Sequence, residues 1–465
     1  MNSERKAIYL LWLGLLCSPV YAMNFRLNEL LYQINLIGSK TDLFTSFLYQ
    51  ILPLAALYLI GIWITFRYGA GKAERAGSLY IIFFFAFLFR LLLVPTQPVL
   101  STDMYRYIWD GRVQAHGINP YRYAPADKAL EDLRDEAVYP RMNRHASPTI
   151  YPAGAQVLFH ALNRVGVRSV SAFKGAVVLF DMGSVLILTM ILAHLGLARE
   201  RVLIYAWNPL VIFELGGSGH LEGFLLFLVL LSLLFLVKER PAASITSLAL
   251  AASLKLYPVI ILPAVLKDKK IGGSFLFGAV FLSLYLPYLG VGKRILGFLP
   301  EYFENPYESF NLGLKAYLLK LIPSVDQMAF TVLFAAILSI SAAVVWIKQK
   351  DVLSSLRLAY ILATLHTLLA SASFHPWYAL WIIPFLALFP SPAWLYFSFA
   401  LTLSYLAYVQ PQHLLPEWVR HVEYIPFFVL LALEYSFYQR PCSGWFPWRP
   451  AVERNPRTMQ KVITS

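Results

Sequence analysis

The sequence has little charge and little cysteine. Charged residues make up 14% of its 465 residues, whereas 58% are apolar. A soluble protein carries about 25% charged residues, so this chain is too poor in charge to cover a large globular surface. The composition excludes a soluble enzyme and a disordered chain. Cys17 and Cys442 stand near opposite ends of the chain, so no disulfide framework or cysteine metal site is indicated.

Long apolar runs take the place of the missing charge. A membrane span needs about 20 apolar residues, so the chain has room for roughly a dozen. The first run, 7–22, fits either a cleaved signal peptide or an uncleaved first helix. Further spans are predicted at 46–66, 79–94, 172–195, 202–216, 220–237, 271–289, 327–347, 354–371, 376–389, 393–409 and 422–438. We therefore expect an all-α polytopic membrane protein of about 13–14 membrane helices, forming one integral membrane domain over 1–465.

The topology depends on the segment 241–266, which is apolar except for Lys255. It is either one span or a re-entrant helical hairpin, and everything downstream inverts between the two. With the hairpin, 11 basic residues lie in the later inside loops (Lys267, Lys269, Lys270, Lys348, Lys350, Arg357, Arg440, Arg449, Arg454, Arg457, Lys461) and five lie outside (Lys293, Arg294, Lys315, Lys320, Arg420). The positive-inside rule favours the hairpin. It places a basic tail, 440–465, in the cytoplasm and the loop 95–171 outside.

The outside loop 95–171 concentrates the polar chemistry. If 103–114 is helical, Asp103, Tyr107 and Asp110 share one face, and Arg106 is spaced to pair with Asp110. Charge alone leaves a solvated loop open, because its acidic and basic residues nearly balance. Aromatic side chains interleaved with charges at a membrane surface instead indicate a binding site.

The motifs of this loop resemble those of a known family. The string Ser-x-Asp-x-x-Arg-Tyr-x-Trp-Asp-Gly-Arg over 101–112, followed by Gly-x-Asn-Pro-Tyr over 117–121, is similar to the first outside loop of GT-C-fold glycosyltransferases that use polyprenyl-phosphate sugars. The nearest relatives look like bacterial polyprenyl-phosphate-mannose mannosyltransferases. Matching stretches follow in order at 207–222, 255–258 and 375–378. One departure is Leu221-Glu222, where the family pattern has Asn-Asp.

The resemblance implies an inverting transfer of a hexose, such as mannose, from a polyprenyl-phosphate donor to a hydroxyl acceptor on the outer face. It implies Asp103 as the catalytic base, with Asp110 as the alternative base or as an orienter through Arg106 or Arg112. The substrate-binding candidates are Arg106, Tyr107, Trp109, Arg112, Asn119, Tyr121, Tyr151, His220, Glu222, Lys255, Tyr257, His375, Trp377 and Tyr378. Lys255 and Arg112 are candidates for the donor phosphate, and Tyr107, Trp109, Tyr121 and Trp377 for stacking on sugars. No constellation demands a metal, although some enzymes of this fold need a divalent ion.

The alternative function is a secondary transporter or a lipid-linked sugar flippase. Such proteins also have many spans and ionisable residues at membrane depth, here Asp181 and Lys255. The sequence shows no two-fold repeat of hydropathy, and its charges gather in one loop, so an enzyme is favoured. The expected partners are the sugar donor, a glycan or lipid acceptor and membrane lipids, without nucleic acid. The expected location is a bacterial cytoplasmic membrane, with the active site facing the periplasm.

Overall fold

The structure is a computed structural model, and it describes residues 2–33, 40–68, 77–266, 269–304, 311, 313–348, 351–369, 374–410 and 414–438. Within these ranges every regular element is helical and none is a strand. The predicted all-α class is therefore confirmed. The predicted basic tail, 440–465, and Cys442 lie outside the described residues.

The α-helices follow one another with short connections. In chain order they are α1 (Asn2–Gln33), α2 (Lys40–Arg67), α3 (Gly77–Leu93), α4 (Asp103–Ala115), α5 (Ala153–Arg164), α6 (Val170–His194), α7 (Leu203–Ala206), α8 (Pro209–Ile212), α9 (Glu222–Val237), α10 (Pro241–Leu254), α11 (Leu262–Leu266), α12 (Lys270–Ser283), α13 (Leu299–Glu304), α14 (Gly313–Leu321), α15 (Gln327–Lys348), α16 (Val352–Leu369), α17 (Ile383–Leu388), α18 (Pro392–Ala400) and α19 (Glu417–Tyr438). Tighter 3₁₀ segments cover Lys128–Leu133, Tyr139–Arg141, Arg199–Val202, Tyr257–Ile261, Leu286–Leu296, Pro376–Trp381 and Leu401–Val409, and a π-helical turn covers Phe213–Gly217.

Six of the described helical stretches are long and apolar enough to cross a membrane. They are Glu4–Met23, Phe44–Arg67, Val170–His194, Met328–Ile347, Val352–Leu369 and Pro392–Val409. The bent pair Lys270–Ser283 with Leu286–Tyr302 has the length and composition of a span only when its two parts are counted together. A polytopic membrane protein is thereby confirmed. Several other predicted spans are shorter or broken helices. The predicted span 202–216 is divided before Pro209, because proline lacks an N–H donor and disfavours helical backbone in the residue before it.

The chain forms two compact units, each assembled from separated stretches of sequence. Unit 1 consists of Met1–Leu93, Val185–Ile212 and His375–Ser465. In it α1 packs against α2 and α3, and Tyr21 meets Phe89 with ring centroids 4.7 Å apart. The sequence predicted a single domain, and no linker composition marks the boundaries because each unit is discontinuous.

Unit 2 consists of Val94–Ser184 and Phe213–Phe374. It holds the loop 95–171, whose predicted helix is present as α4 and packs against α5. In the same unit α9 and α10 form a close pair. Midway along this pair the Ser244 hydroxyl donates to the Ser232 carbonyl at 2.8 Å.

The segment 241–266 folds back on itself. Helix α10 ends at Leu254, and Lys255 has extended backbone, with φ −146° and ψ 144°. Gly273 of α12 lies against both Ile245 of α10 and Leu266 of α11. In one straight helix those two residues would stand about 30 Å apart at 1.5 Å per residue. The two arms therefore run side by side with Lys255 at their junction, while their depth in a membrane stays a prediction.

Candidate active site

Asp103 is the first residue of α4, and its side chain is half-buried. Asn143 donates from Nδ2 to its Oδ1 at 3.2 Å, and its own backbone N–H meets the Ser101 hydroxyl at 3.3 Å. The free N–H groups of a helix N-terminus favour a negative charge beside them. The helix start therefore presents a carboxylate that is supported by donors yet open to solvent on one side.

Tyr107 and Tyr151 form a buried pair one turn along from Asp103. Their rings meet edge-on at 5.0 Å, and Tyr107 also stacks on Phe159 at 4.9 Å. Burial raises the pKa of both tyrosines well above the usual value, and the carboxylates of Asp103 and Glu222 raise each pKa further. Gly219 lies against Met104 and Gly154 lies against Ser253, and these contacts bring Glu222 and Lys255 close to Asp103 and Tyr151. We call Asp103, Tyr107, Tyr151, Glu222 and Lys255 the Asp103 cluster.

Glu222 and Lys255 make the ion pair of this cluster. Glu222 is the first residue of α9 and fully buried, and its Oε1 lies 2.5 Å from Lys255 Nζ. The Lys255 side chain keeps 18% of its surface exposed, whereas the Glu222 side chain has none. Glu222 is thus the direct partner of Lys255, the predicted phosphate ligand. It is also a position at which the sequence departs from the family pattern.

His220 is the next ionisable residue beside this ion pair, and its side chain is buried. Its Nε2 lies 3.2 Å from Glu214 Oε2, and its Nδ1 lies 3.9 Å from Glu222 Oε2. The turn before it contains Gly219 at φ +70°, where a Cβ would stand 3.0 Å from Lys174 and 3.1 Å from Met104. Only glycine fits both the left-handed backbone and the close approach. This turn brings the His220–Glu222 stretch against the first turn of α4.

Asp110 is a buried hydrogen-bond centre rather than an open carboxylate. Its Oδ1 accepts from Arg106 Nε at 2.8 Å, which confirms the predicted pair. Its Oδ2 accepts from the Thr149 hydroxyl at 2.6 Å and from Gln156 Nε2 at 2.9 Å. A carboxylate that holds three donors and has almost no exposed surface has no access to a substrate proton. Of the two candidate carboxylates, Asp110 is enclosed by its donors and Asp103 is the one with an exposed side.

Arg112 points away from Asp110 and toward the far part of the loop. Its Nη2 lies 2.5 Å from Asp135 Oδ2, and its Nη1 donates to the Leu133 carbonyl at 3.0 Å. Burial alone would raise the pKa of Asp135, but hydrogen bonds from Arg112 and from the N–H groups of Val138 and Tyr139 lower that pKa below its usual value. Arg112 is therefore bonded within the loop, and of the two arginines through which Asp110 was expected to act as an orienter, Arg106 is the one that bonds to it.

Three further predicted ligands are structural supports in this arrangement. Trp109 is buried against Tyr139. Tyr121 is also buried, and its hydroxyl donates to the Tyr151 carbonyl at 2.8 Å. Asn119 accepts from the Tyr121 N–H at 3.1 Å. The prediction that Tyr107, Trp109 and Tyr121 stack on sugars disagrees with their burial, because none of these rings has an open face.

The remaining predicted residues make ring contacts of their own. Tyr257, just after Lys255, stacks on His366 at 6.3 Å. His375, Trp377 and Tyr378 belong to unit 1, where His375 stacks on Trp377 at 4.2 Å and Tyr378 on Trp381 at 4.6 Å. Asp181 is fully buried in the part of α6 that belongs to unit 2.

The sequence prediction missed the partners of Asp110. Thr149 and Gln156 bond to it directly, and Gln114 bonds to Gln156 with Nε2 to Oε1 at 2.9 Å. Ala153, Gln156 and Phe159 lie at helical spacing on the buried face of α5. The sequence signal that could have identified Gln156 is a glutamine on a largely apolar helix face. No three of the described His, Cys, Asp and Glu side chains are placed to hold one metal ion.

A comparison with known protein families identifies the family of this chain. Residues 13–267 match the family described as alpha-(1->6)-mannopyranosyltransferase, N-terminal domain. The match covers more than half of the chain and includes the whole Asp103 cluster. No curated protein and no solved structure matches the chain. The chain belongs to the alpha-(1->6)-mannopyranosyltransferase family of GT-C glycosyltransferases.

Proposed function

We propose that the protein transfers mannose from a polyprenyl-phosphate donor to a hydroxyl acceptor, with inversion, on the outer face of a bacterial cytoplasmic membrane. Family membership supports the mannosyl transfer. The observation that carries the finer proposal is the Asp103 cluster, which places a solvent-accessible carboxylate and a partly exposed ammonium around one tyrosine pair. A base and an anion-binding cation are the two groups that the reaction needs.

Asp103 is the general base of the proposed reaction. As the acceptor oxygen attacks the anomeric carbon, its proton passes to the Asp103 carboxylate. The bond from that carbon to the phosphate oxygen breaks, and the lipid phosphate leaves with the electron pair. A stable phosphate anion needs no general acid. A retaining path would require a second carboxylate as nucleophile, and Asp110 is enclosed by its three donors.

Lys255 stabilises the departing phosphate. An ammonium has three N–H donors, and Glu222 uses one of them at 2.5 Å. Its remaining donors are available to bind phosphate oxygens, because the side chain is partly exposed. The Glu222 carboxylate holds the ammonium in place before the donor arrives, so less conformational entropy is lost on binding.

The proposed side of the membrane follows from charge and from the donor. The hairpin topology places 11 later basic residues inside and five outside, in agreement with the positive-inside rule. A polyprenyl chain stays in the bilayer while its phosphate sits at the surface. A site on a loop next to apolar helices fits such a donor.

The decisive experiment supplies purified protein in vesicles with synthetic polyprenyl-phosphate-mannose, matched polyprenyl-phosphate hexoses and a nucleotide-linked mannose. We expect product from the first donor only, with the opposite anomeric configuration to the donor by NMR. Asp103→Asn should abolish transfer, and Asp132→Asn, at an exposed position of the same loop, should not. Transfer by Asp103→Asn at the parent rate would remove Asp103 as the base. Product from the nucleotide sugar alone would refute the donor.

A further inference from the structure

The chain makes a sharp bend after α12. The helix Lys270–Ser283 and the segment Leu286–Tyr302 meet at 87°. Helix α12 is apolar, and its side chains Ile271 and Phe275 are exposed, as expected of a helix that faces lipid. The two parts cannot both run along the membrane normal, and Lys270–Ser283 is the more apolar of the two, which leaves the following segment for the membrane surface. We call Leu286–Leu296, the 3₁₀ part of this segment, the elbow segment.

The elbow segment has two different faces. Tyr288, Val291 and Ile295 pack inward against Tyr121 and Ala153. The backbone kinks at Gly292, with φ +57°, and leucines on both sides of the kink are exposed, Leu286 at 64% and Leu289 at 58% before it and Leu296 after it. Exposed leucines are costly in water, at about 25 cal/mol for each Å² of apolar surface. This outer face therefore requires an apolar partner.

Charge identifies the partner. Lys293 and Arg294 are exposed beside the outer leucines, and the elbow segment contains no acidic residue. Arg294 uses one N–H group on the Arg122 carbonyl at 3.3 Å, which leaves most of its five donors free for another ligand. Leucines flanked by a lysine and an arginine match the boundary between acyl chains and negatively charged headgroups.

We propose that the outer face of the elbow segment binds anionic phospholipid. Leu286, Leu289 and Leu296 insert at the edge of the acyl region, while Lys293 and Arg294 contact headgroup phosphates. This surface is separate from the sugar-transfer site, and the proposal does not depend on the donor or the acceptor.

The elbow segment also holds the active-site loop. The Tyr288 hydroxyl donates to Gln114 Oε1 of α4 at 2.8 Å, and the Phe298 N–H donates to the Thr149 carbonyl at 3.0 Å. Between them Gly297 has φ +56°, and a Cβ there would collide with that carbonyl. Thr149 in turn bonds to Asp110. Lipid bound at the elbow segment therefore fixes the height of α4, and of Asp103 at its start, relative to the bilayer surface.

The depth of the elbow segment is tested with nitroxide labels in the full-length protein in vesicles, after replacement of both native cysteines. Labels are placed by Leu289→Cys, by Phe275→Cys as the lipid-facing control and by Asp132→Cys as the aqueous control. We expect the ratio of oxygen to nickel-complex accessibility at position 289 to lie near that of position 275. A ratio equal to that of position 132 would overturn the proposal.

The headgroup preference is tested in vesicles of phosphatidylcholine alone and of phosphatidylcholine with phosphatidylglycerol. Spin-labelled phosphatidylglycerol should be enriched beside the parent protein, and Lys293→Gln should lower the enrichment by up to about five-fold, the effect of one basic residue near an anionic surface. The matched change Lys128→Gln, at an exposed lysine of the first loop, should leave it unchanged. An equal effect of both variants, or of neither, would contradict a headgroup site at the elbow segment.

Discussion

The ion pair between Glu222 and Lys255 allows stability and donor binding to be separated. Lys255→Met leaves the fully buried Glu222 carboxylate without the ammonium that now lies 2.5 Å from it. Removing one partner of a buried pair costs about 3–5 kcal/mol of unfolding free energy. Adding Glu222→Gln removes the uncompensated charge, so the double variant should regain most of that stability.

Donor binding, unlike stability, should separate both variants from the parent protein. Neither variant has an ammonium to contact the phosphate, and a hydrogen bond to a charged group is worth about 1.5–3 kcal/mol. At 1.4 kcal/mol per factor of ten, the donor KM should rise about 10- to 150-fold in both variants. The acceptor KM should change little, because the acceptor carries no phosphate to meet Lys255.

The assay combines thermal unfolding in detergent with initial rates at varied donor and saturating acceptor. Lys238→Met is the matched control, since Lys238 is an exposed lysine directly after α9. A double variant that recovers both its stability and the parent donor KM would refute the contact between Lys255 and the phosphate. Parent-like stability of Lys255→Met would refute the coupling of the buried pair.

Three further predictions follow from the loop and the topology. Thr149→Val removes the 2.6 Å donor of Asp110 and should lower the unfolding free energy by about 1.5–3 kcal/mol in denaturant titrations; unchanged stability would contradict the buried hydrogen-bond centre. The pKa of Asp135 is lowered in the folded protein, so its carboxylate stabilises the fold above its unfolded pKa of about 3.9. That stabilisation is lost as the pH falls through the pKa of the folded protein. The fall of Tm in acid should therefore be shallower in Asp135→Asn than in the parent. A membrane-impermeant thiol reagent should label Lys320→Cys from outside and Lys269→Cys only after lysis, and the reverse pattern would convert the hairpin into a single span.

Local spacing was sufficient to predict part of the site. Residues 103–114 were expected to be helical with Arg106 paired to Asp110, and α4 and the 2.8 Å bond confirm both. This succeeded because residues four apart on a helix are neighbours whatever the tertiary structure.

Contacts between residues that are distant in sequence could not be predicted from local spacing. Glu222 and Lys255 each stood out as ionisable residues beside apolar runs, but their pairing depends on how α9 packs against α10. For the same reason the hydrogen bonds from Thr149 and Gln156 to Asp110, and the burial of Trp109, were not predicted. Periodicity gives a residue its face on a helix, whereas its contacts depend on which other element covers that face.

The spans were predicted by hydropathy, which measures apolar content and not continuity. The stretch 202–216 is apolar throughout most of its length, yet it is divided into α7, α8 and a π-helical turn. Breaks of this kind expose backbone groups that must be satisfied by protein rather than lipid. Apolar length therefore overestimates the number of continuous spans wherever proline or glycine interrupts the helix.

The pair α9 and α10 is closed at both ends. At one end the chain turns at 238–240, and at the other Glu222 meets Lys255. This closure at both ends constrains the lengths of α9 and α10 as well as their composition. One residue added to either helix would rotate everything beyond it by about 100° and shift it by about 1.5 Å, which would carry one charge away from the other. Side chains along the two helices can change with modest cost, but the number of residues within each helix cannot.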